Sequence, residues 1–172
     1  MDTFFEQIVK IKKNTGKLLL VIAIWTFTIL LTPIIILLAY KYLAAFVVFI
    51  IFGLYWGVLK LTGLFNVEYE YILTNGSFDV DKIINKSSRK RILSFDLSLT
   101  QTIDKYNPNA LQNANKKDVV FACNPDDENA YLLIAKPEGK PTYHLVFSPD
   151  ERMQNAIKKF VPKYIANSAF KD

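Results

Sequence analysis

Two acidic residues in this sequence have a spacing that could support metal chemistry. Asp79 and Asp81 are two residues apart in an extended segment, so their carboxylates share one face of a strand. Paired carboxylates can bind a divalent cation, but two ligands are too few, and no third carboxylate follows in the same element. We therefore favour a solvated strand face and expect neither a metal nor another cofactor.

Cys123 and His144 are the single cysteine and the single histidine, and such a pair can form a nucleophile with its base. Their spacing does not support this role, because His144 alternates with Tyr143 and Leu145 as in an ordinary strand. The sequence also lacks the common motifs of phosphate-binding loops, dinucleotide sites, serine hydrolases and zinc proteases. We therefore expect a protein that is not an enzyme.

Five cations lie between residues 82 and 91 with no acid among them. They are Lys82, Lys86, Arg89, Lys90 and Arg91. Each Lys or Arg at an anionic membrane surface contributes about 1 kcal/mol, so this run could hold a domain against lipid. The alternative is a solvated connection or a basic strand edge that prevents pairing between sheets. The sequence alone does not separate the two.

Two apolar segments are long enough to cross a membrane. Residues 18–40 would span about 34 Å as a helix, compared with about 30 Å for the hydrocarbon core of a bilayer. Residues 43–64 form the second segment, and the short link predicts a helical hairpin. Gly53 and Gly57 have the G-x-x-x-G spacing of close helix packing, either against the first span or against a second copy of the chain.

The excess of basic residues is located beside these spans. Residues 1–64 contain six lysines and two acids, whereas residues 65–172 contain 15 basic and 14 acidic residues. This distribution suits a membrane flank and not a nucleic-acid surface. Because the turn between the spans holds only Lys41, the positive-inside rule predicts a multi-pass plasma-membrane protein with both termini in the cytoplasm.

Alternation of apolar and polar residues begins after the second span. Val67, Tyr69, Tyr71 and Leu73 share one strand face, and the dipeptide 75–76 marks a tight turn before a second strand. Five more extended segments lie near residues 92–95, 97–105, 118–123, 130–136 and 142–147. Short links between them favour antiparallel neighbours, so we predict about seven antiparallel strands.

The chain is predicted to end in an amphipathic helix. Ser148 as the N-cap, with Pro149 next and Glu151 three residues on, forms a capping box. The apolar stripe that follows consists of Met153, Ile157, Phe160 and Val161. We expect this stripe to cover the sheet.

Seven antiparallel strands followed by one helix resemble the pleckstrin-homology-like (PH-like) fold. The block NVEYEYILTNGSFDVDKIINKSSRKRIL, directly after two spans, is similar to a family of small, functionally uncharacterised bacterial membrane proteins with a PH-like cytoplasmic domain. The resemblance covers nearly the whole chain and transfers no catalytic residues. It implies an α+β membrane protein with an N-terminal segment at residues 1–17, a transmembrane helical hairpin at 18–64 and a PH-like cytoplasmic domain at 65–172.

These observations favour a non-enzymatic, membrane-anchored module that binds a partner protein or the anionic membrane surface. A second copy of the chain would be one such protein partner, and no nucleic acid is expected. The alternative hypothesis is an accessory subunit of a transporter or other polytopic membrane complex. The spans offer little for that role, because ionisable residues mark most ion routes and only Lys41 and Lys60 occur here.

Overall fold

The computed structural model describes residues 3–111, 114–115, 117–124, 126–139 and 141–170, with the backbone alone at residues 42 and 43. The chain divides into two compact units. Residues 12–66 form the first, which we call the hairpin unit. Residues 1–11 and 67–172 together form the second, which we call the sheet unit. The sheet unit is therefore built from segments on both sides of the hairpin unit in the sequence.

The hairpin unit consists of helix α1 (Thr15–Leu43), a 3-10 turn (Ala44–Phe46) and helix α2 (Val47–Gly63). Its segments Thr15–Lys41 and Ala44–Gly63 are long and apolar enough to cross a membrane. Only 6% of the most apolar window of each is buried, whereas the core helix of a soluble protein would be mostly buried. The two predicted apolar helices are confirmed.

Polar groups within the hairpin unit find partners inside it. The Thr28 hydroxyl, which is 3% exposed, donates to the carbonyl of Ile24 at 2.7 Å. Thr32 Oγ1 lies 3.3 Å from the hydroxyl of Tyr55, and the Tyr55 ring packs against Trp25 with centroids 6.1 Å apart. The first contact satisfies a hydroxyl within α1, and the contacts of Tyr55 join α2 to α1.

Four antiparallel strands form the first sheet, sheet A, in the order β1-β2-β3-β4. They are β1 (Phe4–Lys10), β2 (Val67–Thr74), β3 (Ser77–Ile84) and β4 (Ser88–Asp96). The predicted turn at residues 75–76 is confirmed, since Asn75 has φ 49° and Gly76 has φ 93°. A side chain at Gly76 would also meet the Phe160 ring at 3.1 Å, so both backbone and packing require glycine there.

Strand β1 changes the expected organisation of the chain. The sequence analysis assigned residues 1–17 to a separate segment and residues 65–172 to the domain, whereas β1 forms an edge of sheet A beside β2. Ile11 N donates to Val67 O at 3.1 Å, so the pairing includes the residues that directly precede and follow the hairpin unit in the sequence. The cause is the alternation of β1, whose inward side chains Phe5 and Val9 pack against the core. The apolar helices are therefore inserted between two neighbouring strands.

The second sheet, sheet B, has the order β5-β7-β8-β6. Its strands are β5 (Thr100–Lys105), β6 (Val119–Phe121), β7 (Tyr131–Ala135) and β8 (Tyr143–Phe147). All seven predicted strands are present, but β6 pairs parallel with β8, so the expectation of a wholly antiparallel domain is wrong. Strands β7 and β8 form an antiparallel pair in the middle of the sheet, with β5 beside β7. Strand β6 precedes this pair in the chain and forms the edge beside β8.

Aromatic side chains form the centre of the core between the two sheets. Tyr71, Phe78 and Phe147 are all fully buried, and the Phe147 ring contacts the other two edge-on with centroids 5.7 and 5.8 Å apart. The Tyr71 hydroxyl donates to the carbonyl of Ala122 at 2.6 Å and accepts from Ser148 N at 3.2 Å. Burial raises the pKa of Tyr71 above its ordinary value, although the hydrogen bond from Ser148 N opposes this shift, so the hydroxyl stays protonated and can donate.

The C-terminal region forms helix α3 (Glu151–Ile157) and a short helix α4 (Lys163–Ala166). The prediction that Ser148 caps α3 is wrong, because Asp150 is the N-cap and its carboxylate accepts from Met153 N at 2.7 Å. Ser148 instead donates its backbone N–H to the Tyr71 hydroxyl and accepts at its carbonyl from the Gln7 side-chain amide. The same amide accepts from Asp150 N at 2.9 Å through its oxygen. Three of the four stripe residues are buried and Phe160 is half-buried, so the stripe covers the core as predicted.

Candidate functional site

The three lysines of the predicted basic run lie at one end of sheet A. Lys82 on β3 and Lys90 on β4 are direct cross-strand partners, and Lys86 lies in the turn between them. Asn85 and Lys86 have φ 52° and 55°, the left-handed values that a tight hairpin turn requires. We call Lys82, Lys86 and Lys90 the lysine cluster. In the part of the chain that the structure describes, none of the three forms an ion pair.

The two arginines of the same run are paired with acids. Arg89 Nη2 lies 2.8 Å from Glu70 Oε1. Arg91 places Nη1 2.9 Å from Asp79 Oδ2 and Nε 2.9 Å from Asp81 Oδ1. The hydrogen bond that Arg91 donates to Asp81, with the charges of both aspartates, raises the pKa of Arg91. The five predicted contact residues thus divide into a lysine cluster and two arginines that are already neutralised by carboxylates.

Asp79 and Asp81 do share a strand face, but this face is not solvated as expected. Their side chains are only 16% and 5% exposed, because the Arg91 guanidinium lies across them. Arg91 therefore supplies the positive charge that a cation would otherwise bring. Among the described residues, no group of three or more His, Cys, Asp or Glu side chains could hold a metal ion.

Glu70 is a buried residue beside the basic run that the sequence analysis did not identify as important. Its alternation with Tyr69 and Tyr71 placed it on the outer face of β2, where a glutamate is normally solvated, yet it is 0% exposed. Burial is the main cause that raises its pKa, and the neighbouring Arg89 opposes that effect. The acids at 79 and 81 and the arginines at 89 and 91 have the same two-residue spacing. This spacing was the signal in the sequence that arginines of one strand pair with acids of its neighbours.

A shallow groove of about 410 Å³ lies beside the lysine cluster on the outer face of sheet A. It is lined by Ile8, Lys10, Glu68, Ile83 and Lys86. Lys10 is the last residue of β1, so the N-terminal strand contributes a further cation to this end of the sheet. The groove combines two aliphatic side chains with two lysines and one glutamate.

Cys123 lies in a small apolar cluster with Ala130, Leu132 and Val146. Burial, together with the negative charge of Asp127, raises the pKa of the Cys123 thiol to about 12. The thiol is therefore protonated at neutral pH, which argues against a nucleophilic role. His144 lies on β8 as predicted, and its Nδ1 is buried without a hydrogen-bond partner among the described residues.

Gly53 and Gly57 are both exposed on α2, and apart from the flanking residues and the backbone of α2 itself nothing lies within 4 Å of the position that a Cβ would take at either one. The residues of α2 turned toward α1 include Tyr55 and the buried Val58. The two glycines therefore lie on another face of α2, where no side chain of α1 packs against them. Their contact with a second copy of the chain stays a prediction.

The chain was compared with known proteins. Residues 1–167 match the family described as Bacterial PH-like domain (DUF6106). No curated protein and no solved structure shows a significant match. The match includes β1, the two apolar helices and the rest of the sheet unit up to α4. The predicted fold class and the predicted family resemblance are confirmed.

Proposed function

Because the chain belongs to this family of bacterial PH-like domains, we propose that it is a membrane-anchored module whose lysine cluster contacts anionic lipid headgroups. The observation that carries the lipid contact is the cross-strand pair of Lys82 and Lys90, with Lys86 in the turn between them. Like charges directly opposite one another destabilise a sheet. An anionic surface would relieve this repulsion, because the cluster has no acid of its own.

Chain connectivity supports the anchor. Since β1 and β2 are neighbours in sheet A, the chain must leave the membrane on the side from which it entered, as two spans require. The lysines before α1 then favour the cytoplasmic side of the plasma membrane by the positive-inside rule. Both termini would be cytoplasmic in this arrangement.

The position of Lys10 supports contact between this end of the sheet and the membrane surface. Only four residues separate Lys10 from the start of α1, and four extended residues reach at most about 14 Å. Lys10 and Lys86 line the same groove, so the lysine cluster belongs to the end of sheet A from which the chain continues into the spans. Three lysines at about 1 kcal/mol each contribute at most about 3 kcal/mol, enough to orient a domain that is already anchored.

The full-length protein in lipid nanodiscs provides a direct test. We expect the rate of lysine acylation at Lys82, Lys86 and Lys90, measured by mass spectrometry, to fall about threefold or more when anionic lipid replaces zwitterionic lipid. The exposed Lys159, after α3, is an internal control that should not change. Salt at 1 M should remove the protection, since it shortens the Debye length to about 3 Å. Equal acylation rates in both lipids would refute the contact.

The open face of Gly53 and Gly57 favours a second role, contact with another membrane helix. A second copy of this chain is the simplest partner, and a polytopic protein would instead make the chain an accessory subunit. Differently tagged copies should co-purify in mild detergent, and G53L with G57L should abolish this. Gly16 also has open space around it, so G16L is the matched control. Unchanged co-purification of the double variant would exclude this face.

A further inference from the structure

Glu70 is buried with one of its carboxylate oxygens lacking a partner. Its side chain is 0% exposed, and Oε1 accepts a hydrogen bond from Arg89 Nη2 at 2.8 Å. Its other oxygen, Oε2, is buried and has no hydrogen-bond donor among the described residues. A buried carboxylate oxygen without a donor is costly, so some group must supply a proton or a positive charge.

Strand β1 brings a second carboxyl group to this position. Ile8 lies directly opposite Glu70 in the antiparallel register, and Glu6 lies opposite Ile72. Side chains two residues apart share a strand face, so Glu6 is the diagonal neighbour of Glu70 across the β1–β2 pair. The Glu6 carboxyl is one of the causes that raise the pKa of Glu70, as expected of a neighbouring group that can share a proton with it. Two carboxylates cannot hydrogen-bond unless one of them carries a proton.

The surrounding charges also favour a retained proton. Asp81 lies directly opposite Glu70 on β3, Asp79 is two residues away on the same face, and Glu68 precedes Glu70 on β2. The positive groups around the pair are Arg89, Arg91 and the more distant Lys10. Lys86 lies beside Glu68, and Arg152 of α3 lines a pocket with Glu6 and with its own partner Asp150. Arg91 is already shared by the two aspartates, which leaves Arg89 as the cation bound to Glu70. Carboxylates therefore outnumber cations around the pair.

We propose that Glu6 and Glu70 share one proton, and that this proton holds the N-terminal strand β1 against β2. When the proton is lost, two negative charges face each other diagonally across these strands. The paired strands are the two that flank the membrane hairpin. Loss of the proton would therefore loosen β1, the strand that leads directly into the first span.

The sign of the pH dependence follows from burial. Desolvation, the side-chain interaction with Glu6 and the charges of Glu6 and Asp81 raise the pKa of Glu70, and only Arg89 lowers it. A raised pKa in the folded state means that the stabilisation is present below the ordinary pKa of a glutamate and is lost as pH rises through the raised value. The Gln7 side chain hydrogen-bonds to the backbone of Ser148 and Asp150, and the Asn124 side chain donates to the carbonyl of Lys10. Neither side chain titrates. They give β1 attachments that do not depend on pH.

Hydrogen exchange on the full-length protein in uncharged detergent tests this proposal. Protection of residues 4–10, corrected for intrinsic exchange and compared with β7, should fall about tenfold for each pH unit between the ordinary pKa of a glutamate and the raised pKa of the pair, and should level off above it. The variant E6Q should make this protection independent of pH, because the amide donates without titrating. E68Q is the matched control on the neighbouring strand and should keep the wild-type pH profile.

Two results would overturn the proposal. One is a flat pH profile of hydrogen-exchange protection for residues 4–10 in the wild-type protein. This result does not depend on whether any variant folds. The other is an E6Q profile that still falls with pH as in the wild type. A fall in E6Q would assign the titration to Glu70 and its aspartate neighbours alone, without a shared proton.

Discussion

Arg89 and Lys90 are adjacent cations that the structure assigns to different roles, so their separate removal gives a sharp prediction. Removing one partner of a buried ion pair generally costs about 3–5 kcal/mol. We expect R89A to cost somewhat less, about 2–3 kcal/mol, because the Arg89 side chain is 54% exposed and Glu70 can bind a proton. K90A should change the stability by no more than about 0.5 kcal/mol, because it removes only repulsion from Lys82.

The single cysteine provides an assay that is specific to the sheet unit. Cys123 is 5% exposed, so a thiol-reactive fluorogenic dye will react only when this unit unfolds. At about 4 °C per kcal/mol, R89A should lower the melting temperature of the detergent-solubilised protein by about 8–12 °C, and K90A should stay within about 2 °C of the wild type. The loss in R89A should be smaller at pH 5 than at pH 8, because the pKa of Glu70 is raised and a larger fraction of Glu70 is protonated at the lower pH.

Equal melting temperatures for R89A and the wild type would refute the assignment of Arg89 as the counter-ion of Glu70. A comparable loss in K90A would refute the division of the basic run into structural arginines and free lysines. The comparison also explains why changing Arg89, Lys90 and Arg91 together would be a poor test of lipid binding. That triple variant would remove the partners of three carboxylates as well as one lysine.

Three further predictions use the same dye assay or simple solubility. D150A should cost about 0.5–2 kcal/mol through the lost helix cap, whereas S148A should have almost no effect; the reverse order would restore Ser148 as the cap. Y71F should cost about 1–3 kcal/mol, because it leaves the Ala122 carbonyl without its 2.6 Å donor, and a melting temperature equal to the wild type would contradict this. Replacing residues 12–66 with a short Asn-Gly turn should give a soluble, folded sheet unit, since Ile11 and Val67 are hydrogen-bonded; an insoluble or unfolded product would contradict the insertion of the hairpin.

The strands of the sheet unit could be predicted from local patterns, whereas their long-range partners could not. Alternation located β2 and β3, and the Asn75-Gly76 turn fixed their register. Strand β1 has the same alternation, but its partner is separated from it by the whole hairpin unit. The pairing of β6 with β8 likewise depends on strand order, which alternation does not encode.

The candidate site shows the same limit. The five basic residues could be found by composition, but their division depends on which of them face acids on other strands. Glu70 and Arg89 are 19 residues apart in sequence and meet only because β2, β3 and β4 are consecutive neighbours. The helix cap was misassigned for a related reason, since Ser148 and Asp150 are both good cap residues and the contacts of Ser148 with Gln7 and Tyr71 decide between them.

The central claim is that the hairpin unit spans the membrane with the sheet unit on the cytoplasmic side, and single-cysteine labelling tests it most directly. In a C123A background, K41C places a thiol at the turn between the spans and S87C places one in the β3–β4 turn of the sheet unit. A membrane-impermeant maleimide should label K41C in intact bacterial cells and should label S87C only after the cells are permeabilised. Labelling of S87C in intact cells, with K41C protected, would contradict the account.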